Sequence, residues 1–387
     1  MTAYRIELIL PAMVLQEPIE CGPAICCTTD HLDRYQISPS YELDAVREIH
    51  RQATDSAGRQ LSSLGLLLVP YAKVAELRRL GVPRMCRDAV ALSHICGGVE
   101  LNAHHRQDLD VAKADYFDSL PVVLGRDTLM IRTPSLASFG HGLAQFRTTL
   151  PVYLTHRRAT SFRCDIQLLA ALDRTIRAFT SGRQRPELRQ VFRAITIALH
   201  ASRVLTEREA TYIDLGPRIA AWVSAFETVV HRGKGDKVNL RRIVDFIQKI
   251  GWFDGRPAMR GAPKGRKKEI AHRRFICEYR DTKWRVNAAC DLYSRLYTLR
   301  NDVAHGNPIQ RDRFFVRPRA RPITRIDEVL PLLFRECVLE RLREIGFVKP
   351  WPTGNLSPRE FAEYFRESRK TSNAHDALAV ALFGRQP

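Results

Sequence analysis

The sequence predicts two regions of different fold class, an α+β domain at its N-terminal end and an all-α helical bundle after it. The chain has 387 residues, which is enough for two or three domains. Strand-like and helical patterns alternate in the first part, whereas beyond about residue 182 the apolar residues repeat at helical spacing. Hydrophobic residues make up 45% of the chain, which is enough for apolar cores. We therefore predict an α+β domain at 1–182, a helical bundle at 183–349 and a helical tail at 350–387.

Short strands, turns and helices alternate in the first region. Two apolar segments, Leu120–Leu124 and Leu129–Ile131, flank a Gly-Arg-Asp turn and predict a β-hairpin. An apolar patch within Leu61–Leu80 leads into a helical segment. The other predicted elements are a strand at Tyr4–Leu15, a Pro- and Gly-rich turn at 18–23, a strand at Pro151–Leu154 and a helix at Asp165–Phe179. No catalytic signature occurs here, and this region does not reveal its ligand.

The second region opens with a polar linker, Ser181–Pro186, which places Pro at a helix start. Apolar residues then recur with a period near 3.6, as they do on the buried face of a helix. Several such helices joined by loops are typical of an α-bundle. The predicted helical segments are Glu187–Val204, Pro217–Val230, Leu240–Ile250, a stretch that begins at Ile270–Cys277, Val286–His305 and Ile326–Ile345, with Pro358–Arg369 and Ala374–Phe383 in the tail.

The charge of the chain indicates an anionic partner. The formal net charge is +19 and the isoelectric point is near 9.9, which favours a nucleic acid, although a basic surface that only aids solubility is the alternative. No uncharged apolar stretch reaches 18 residues, so we expect no transmembrane helix and no membrane partner. The apolar run at Ile6–Leu15 lacks a preceding basic segment and predicts a strand instead of a signal peptide. We therefore expect a cytoplasmic protein.

The nine cysteines predict reduced, mostly buried thiols, because their number is odd and their spacing matches no small disulfide scaffold. Two cysteines and three histidines lie loosely together between Cys86 and His105, and three cysteines lie between Cys21 and Cys27. Neither group contains the paired Cys-x2-Cys spacing that is common in zinc sites. We expect core cysteines and surface histidines in these places, and neither a metal nor another cofactor.

One segment, Asp291–Pro308, carries the candidate chemistry. Its leucines and Val303 form one apolar stripe, and Gly306 followed by Pro308 predicts the end of a helix. His305 then falls in the last turn, where the negative end of the helix dipole favours a protonated imidazole. Arg300 lies five positions earlier, about 140° away around an ideal helix. The two residues therefore share one end of the helix without sharing a narrow face.

This segment resembles the HEPN family (higher eukaryotes and prokaryotes nucleotide-binding), whose nucleases carry Arg, a polar residue, a short spacer and His. Here these residues are Arg300, Asn301 and His305, and the surrounding Arg-Asn-Asp-x-x-His-Gly is most similar to the ApeA-like branch. The resemblance covers about residues 185–347. It implies a HEPN bundle that acts as a metal-independent endoribonuclease and forms a homodimer with a composite active site. It also implies a toxin or an antiviral effector of abortive infection, acting on RNA such as tRNA, with the N-terminal domain as a sensor or regulator.

The residue types suit RNA cleavage by the 2′-hydroxyl group. Histidine titrates near neutral pH and can transfer protons, and arginine offers a planar set of donors to phosphate oxygens. Asn301 would orient His305 or the phosphate. Glu227, on the earlier helix expected to face the motif, either orients Arg300 or is an ordinary exposed glutamate. The expected products carry a 2′,3′-cyclic phosphate and a 5′-hydroxyl.

Three other interpretations stay open. Arg300 and His305 could serve only as an ion-pair partner and a helix-capping residue. The bundle could be a non-catalytic RNA-binding or scaffold protein. A metal-dependent nuclease or nucleotide-transfer enzyme is a further rival, but the sequence has no clustered carboxylates and no phosphate-binding Gly-x4-Gly-Lys-Ser/Thr loop.

Two basic segments, 254–274 and 311–325, are candidates for RNA contact. The second follows the motif directly and interleaves arginines with Phe314 and Phe315, which would combine phosphate binding with base stacking. A solvated charged loop is the alternative for each. The residues proposed to bind RNA are Arg266, Lys267, Lys268, Arg313, Arg317 and Arg319.

Overall fold

A computed structural model gives the fold of the chain as a mixed structure, with a small N-terminal sheet and mainly helices after it. The chain divides into two compact units. The first comprises Met1–Ala91, Lys113–Arg163 and Leu172–Gln184, and the second comprises Leu92–Ala112, Cys164–Ala171 and Arg185–Pro387. The structure describes residues 2–13, 15–54, 58–105, 114–119, 122–124, 128–132, 137–141, 148–149, 164–183, 185–203, 212–233, 237–252, 270, 273–279, 282–316, 324–349 and 374–384.

The first unit contains a five-stranded sheet in the order β2-β3-β6-β1-β4. The neighbours β2–β3, β3–β6 and β6–β1 are antiparallel, and β1 pairs with β4 in parallel. A three-stranded antiparallel sheet, β7-β8-β9, and a short parallel pair, β5 with β10, complete the strands described in this unit. The strands are β1 (Ala3–Leu10), β2 (Ile19–Cys21), β3 (Ala24–Thr28), β4 (Gln36–Ile37), β5 (Ala53–Thr54), β6 (Gly65–Pro70), β7 (Val122–Leu124), β8 (Thr128–Arg132), β9 (Ala137–His141) and β10 (Thr148–Thr149).

Helix α1 (Ser40–Gln52) packs its apolar face into the same core as the five-stranded sheet. Val46 and Ile49 are buried there, and the buried carboxylate of Glu42 accepts a hydrogen bond from the Ile6 amide at 3.2 Å and pairs with Arg5 at 2.9 Å. Two helices follow in chain order, the short α2 (Val74–Leu80) and the 24-residue α3 (Val82–His105), and α4 (Ile166–Thr180) comes after the last strand of this part of the chain. The core of the first unit is therefore formed where α1 packs against the five-stranded sheet.

Several predicted elements of this region are confirmed. The strand at Tyr4–Leu15 is present as β1, although it ends at Leu10, and the predicted hairpin is formed by β7 and β8 with Val122 opposite Ile131. The helix at Asp165–Phe179 is α4, with the Asp165 carboxylate accepting the Leu168 amide at 2.9 Å. The predicted turn at 18–23 contains β2 as well, because its residues pair with β3. The strand predicted at 151–154 lies outside the described residues.

The cysteines are free thiols, and all but the half-buried Cys164 are buried. The expectation of surface histidines is wrong for His94, which lies on the buried face of α3. Within the described ranges, no group of three His, Cys, Asp or Glu side chains is placed to hold a metal ion. No helix in those ranges has the length and apolar character needed to cross a membrane.

The second unit is built mainly of helices around an aromatic core. Trp222 and Phe226 from one helix meet Tyr293 and Phe334 from two others, with ring centroids of neighbouring pairs 5.1–5.7 Å apart. All four side chains are fully buried. Five predicted helices of the bundle are confirmed, as is the second predicted helix of the tail. They are α5 (Pro186–Ala201), α6 (Tyr212–Val230), α7 (Leu240–Lys249), α8 (Ala288–His305), α9 (Ile326–Glu344) and α10 (residues 374–383).

The helical stretch predicted to begin at 270–277 is wrong. Ile270 is helical, but β11 (Phe275–Tyr279) and β12 (Thr282–Val286) form an antiparallel hairpin with Phe275 opposite Val286. Aromatic and β-branched residues favour this ladder, and the buried Cys277 thiol approaches the Ser294 hydroxyl on α8 at 3.1 Å. A partner strand decides the outcome here, and helical periodicity cannot detect it. The helix predicted at 358–369 lies outside the described residues.

A buried ion network joins several segments of the second unit. Arg335, in the middle of α9, is completely buried and pairs with Asp165 and Glu336, while Gln167 accepts from its Nη2 at 2.8 Å. His375 of α10 lies 3.2 Å from the second oxygen of Glu336. Burial alone raises the pKa of Glu336, but the nearby Arg335 and His375 outweigh it and lower that pKa to about 2. The network ties α9 to α10 and to the start of α4.

Candidate functional site

Helix α8 presents the Arg-Asn-Asp-x-x-His-Gly motif at its C-terminal end. Asn287 caps the start of the helix, and its side chain accepts the Cys290 amide at 2.9 Å. It ends at Gly306, which adopts the left-handed conformation with φ of 68°. The Asn307 amide bonds to the Asp302 carbonyl at 2.9 Å, and the Gly306 amide bonds to the Val303 carbonyl. This pair of bonds is the Schellman arrangement, so the predicted helix end is confirmed.

The apolar stripe of α8 fixes the motif against α6. Leu292, Leu296 and Leu299 are buried as predicted, and Val303 is half-buried. Val303 approaches the buried Gly216 of α6 so closely that a Cβ atom at Gly216 would lie 2.6 Å from the Val303 Cγ1. The absence of a side chain at Gly216 therefore sets how near the motif lies to α6.

Arg300 is held by two contacts. Its Nη2 lies 3.3 Å from the Glu227 Oε1 on α6, and its guanidinium carbon lies 4.7 Å from the ring centre of Tyr297. Burial raises the pKa of Glu227, and the Arg300 charge opposes this shift. Of the two interpretations of Glu227, the structure therefore favours the contact with Arg300. Tyr297, which lies one turn before Arg300, was not singled out from the sequence. Side chains three residues apart on a helix lie side by side, and this spacing could have indicated the contact.

His305 differs from Arg300 in its surroundings. It is exposed in the last turn of α8, whereas Asn301 and Arg300 are half-buried. Within the described part of the chain, no hydrogen bond or ion pair joins Arg300 to His305. A single chain thus places a fixed cation and an exposed imidazole at the same helix end, on separate sides of it.

The start of the second basic segment is attached to the motif. The Arg313 Nη1 lies 2.6 Å from the Asp302 Oδ2, and the Arg295 guanidinium donates to the Phe315 carbonyl at 2.7 Å. Phe314 is buried, so the expectation that its ring would stack on a base is wrong. Arg313 keeps 38% of its side chain exposed beside the motif. The other proposed RNA-binding residues lie outside the described residues: Arg266, Lys267, Lys268, Arg317 and Arg319.

Comparison of the chain with protein-family models, with curated proteins and with solved structures gives no match. The function must therefore be inferred from the residues of the site and their chemistry.

Proposed function

We propose that the protein is a metal-independent endoribonuclease of the HEPN type, with Arg300, Asn301 and His305 as its catalytic residues. The observation that carries the proposal is the end of α8, where a fixed guanidinium and an exposed imidazole occupy one helix terminus. An imidazole can transfer a proton and a guanidinium can neutralise phosphate charge, and both actions serve the cleavage of a phosphodiester without a metal. The net charge of +19 suits a polyanionic substrate.

In the proposed reaction the 2′-oxygen attacks the adjacent phosphorus and the bond to the 5′-oxygen breaks. His305 removes the proton of the 2′-hydroxyl or supplies a proton to the leaving 5′-oxygen. Arg300 neutralises the charge that develops on the phosphorane oxygens. Glu227 and Tyr297 position Arg300, and Asn301 orients the phosphate or His305 by a hydrogen bond. The products carry a 2′,3′-cyclic phosphate and a 5′-hydroxyl.

A homodimer supplies what one chain lacks. The reaction needs a base and an acid at the same time, and the motif provides one imidazole per chain. His305 is exposed and so is accessible to a second chain. We therefore propose a composite site with Arg300 and His305 from both protomers. The roles in toxicity or abortive infection, tRNA as a substrate and a regulatory N-terminal region all derive from the resemblance.

Cleavage of end-labelled RNA by the full-length chain in the presence of EDTA tests the proposal. We expect cutting to persist in EDTA and to fall by about 10² to 10⁴-fold in His305→Ala, which loses its proton-transfer group. Arg300→Lys keeps the charge but loses the planar donor set, and we expect a large loss there too. Arg241→Ala, an exposed arginine on α7, is the matched control and should cut normally.

Two outcomes would contradict this function. Activity that EDTA abolishes and Mg²⁺ restores would indicate the metal-dependent alternative. Tight binding of intact RNA by the wild-type chain, with no cutting of tRNA or of mixed single-stranded RNA, would favour the non-catalytic scaffold.

A further inference from the structure

Helix α5 carries a line of exposed arginines on the side opposite its buried face. Arg185, Arg189 and Arg193 follow one another at intervals of four residues, and Arg203 lies just beyond the helix end. At 100° per residue Arg185, Arg189 and Arg193 fall within an arc of about 80°. All four are exposed, and the single carboxylate of the helix, Glu187, lies on a different side. The helix thus presents a narrow cationic stripe, which we name the α5 stripe.

The α5 stripe leads toward the end of the bundle that holds the motif. The Arg218 side chain of α6 donates to the carbonyl of Ala201, the last residue of α5, at 2.9 Å. Two residues before Arg218, Gly216 packs against Val303 in the motif segment of α8. The C-terminal end of α5 and the C-terminal end of α8 therefore contact the same short part of α6. Along the axis of α5, Arg193 lies about 12 Å from Ala201 and Arg185 lies about 24 Å from it.

The composition of the stripe identifies the kind of partner. Its charged positions on α5 are all arginine, whose planar donor set matches phosphate oxygens. A lipid surface is disfavoured, because a membrane-binding helix needs an exposed apolar face and the apolar residues of α5 are buried in the bundle. Arginines one turn apart are separated by about 6 Å along the helix, which is comparable to the separation of successive phosphates in an extended single strand.

We propose that Arg185, Arg189 and Arg193 form a track for the phosphate backbone of single-stranded RNA that extends away from the cleavage site. The identity of the ligand as RNA rests on the proposed function, whereas the track itself rests on the geometry of α5. The track sets affinity and the path of the strand, and it does not take part in the chemistry. The track binds RNA of any base sequence, since its contacts are to phosphate.

The test measures RNA binding by the full-length chain at a series of salt concentrations. The probe is a mixed-sequence single-stranded RNA with 2′-O-methyl groups, which lacks the attacking hydroxyl and stays intact. In the variant with Arg185→Gln, Arg189→Gln and Arg193→Gln, the slope of log affinity against log salt should become shallower by about 2, at about 0.7 per lost phosphate contact. Fluorescence anisotropy gives the affinity, and thermal unfolding confirms that these exposed substitutions leave the fold intact.

The matched control removes three exposed charges from a different place, with Lys73→Gln, Arg79→Gln and Arg84→Gln. It has the same net charge as the α5 variant and should keep the wild-type slope. An equal change in both variants would show that only overall charge matters and would overturn the track. An unchanged slope in the α5 variant would overturn it as well. Polyglutamate is a polyanion without phosphate groups, and if the α5 variant lost affinity for it as much as for RNA, the stripe would not be a phosphate track.

The two proposals fail separately. If the chain does not cut RNA but the salt dependence of RNA binding becomes shallower in the α5 variant, the track is supported and the proposed nuclease activity is wrong. If cutting in EDTA depends on His305 but the α5 variant keeps the wild-type salt dependence of binding, the proposed nuclease activity is supported and the track is wrong.

Discussion

Replacement of Gly216 by alanine tests how α6 positions the motif helix. The new Cβ would lie 2.6 Å from the Val303 Cγ1, which is closer than such atoms approach in folded proteins. Valine has few allowed rotamers, so either the side chain adopts a strained one or α8 shifts. Overpacking of this kind costs about 1 to 3 kcal/mol, and the better helix propensity of alanine offsets about 1 kcal/mol of it. We expect Gly216→Ala to lower the free energy of unfolding by up to about 2 kcal/mol.

Val303→Ala provides the matched background, because it removes the atom that clashes. There the same Gly216→Ala change should stabilise the protein by about 1 kcal/mol, since only the helix propensity remains. Urea unfolding of the four proteins gives the two differences and their coupling. RNA cleavage should fall in Gly216→Ala, because Val303 lies between Arg300 and His305, and should recover in the double variant. If Gly216→Ala stabilises the protein equally in both backgrounds, the contact does not position the motif.

Substitutions in the buried ion network and at the cap of α8 test the framework of the second unit. Glu336→Gln removes one partner of the buried Arg335 and should cost about 3 to 5 kcal/mol in urea unfolding, whereas Glu344→Gln in a partly exposed pair should cost less than about 1 kcal/mol. The folded-state pKa of Glu336, lowered to about 2, gives stability that is present above the ordinary value of 4.5 and is lost as the pH falls toward 2. Unfolding measured across that window should therefore depend less on pH in Glu336→Gln than in wild type, and an identical pH dependence would contradict the ion network. Asn287→Ala removes the cap of α8 and should cost about 1 kcal/mol, and no loss in urea unfolding would show that the cap is dispensable.

Local signals were sufficient to predict the motif helix. The spacing of Leu292, Leu296 and Leu299 gave the buried face of α8, and Gly306 with Pro308 gave its end. Both features depend on residues within one or two helical turns, so no distant partner was needed. Where a partner strand decided the structure, as at β11 and β12, the helical prediction was wrong.

Contacts between distant residues could be anticipated only in part. The Glu227–Arg300 pair joins residues 73 positions apart, and the sequence could offer it only as one of two alternatives for Glu227. Arg335 and Asp165 are 170 positions apart, and nothing local connects them. The adjacent charges of Arg335 and Glu336 within an otherwise apolar stretch of α9 were the available signal, because a charge on a buried helix face requires a partner.

In the proposed reaction RNA itself supplies the nucleophile, at a site that contains Arg300 and His305. The most direct test uses an RNA with a single 2′-deoxy substitution at the mapped cleavage position, incubated with the full-length chain in EDTA. We predict that the unsubstituted RNA yields 2′,3′-cyclic phosphate and 5′-hydroxyl ends, and that the deoxy substitution blocks cutting at that position. Continued cutting of the deoxy-substituted RNA at the same bond, or products with a 5′-phosphate, would contradict the mechanism.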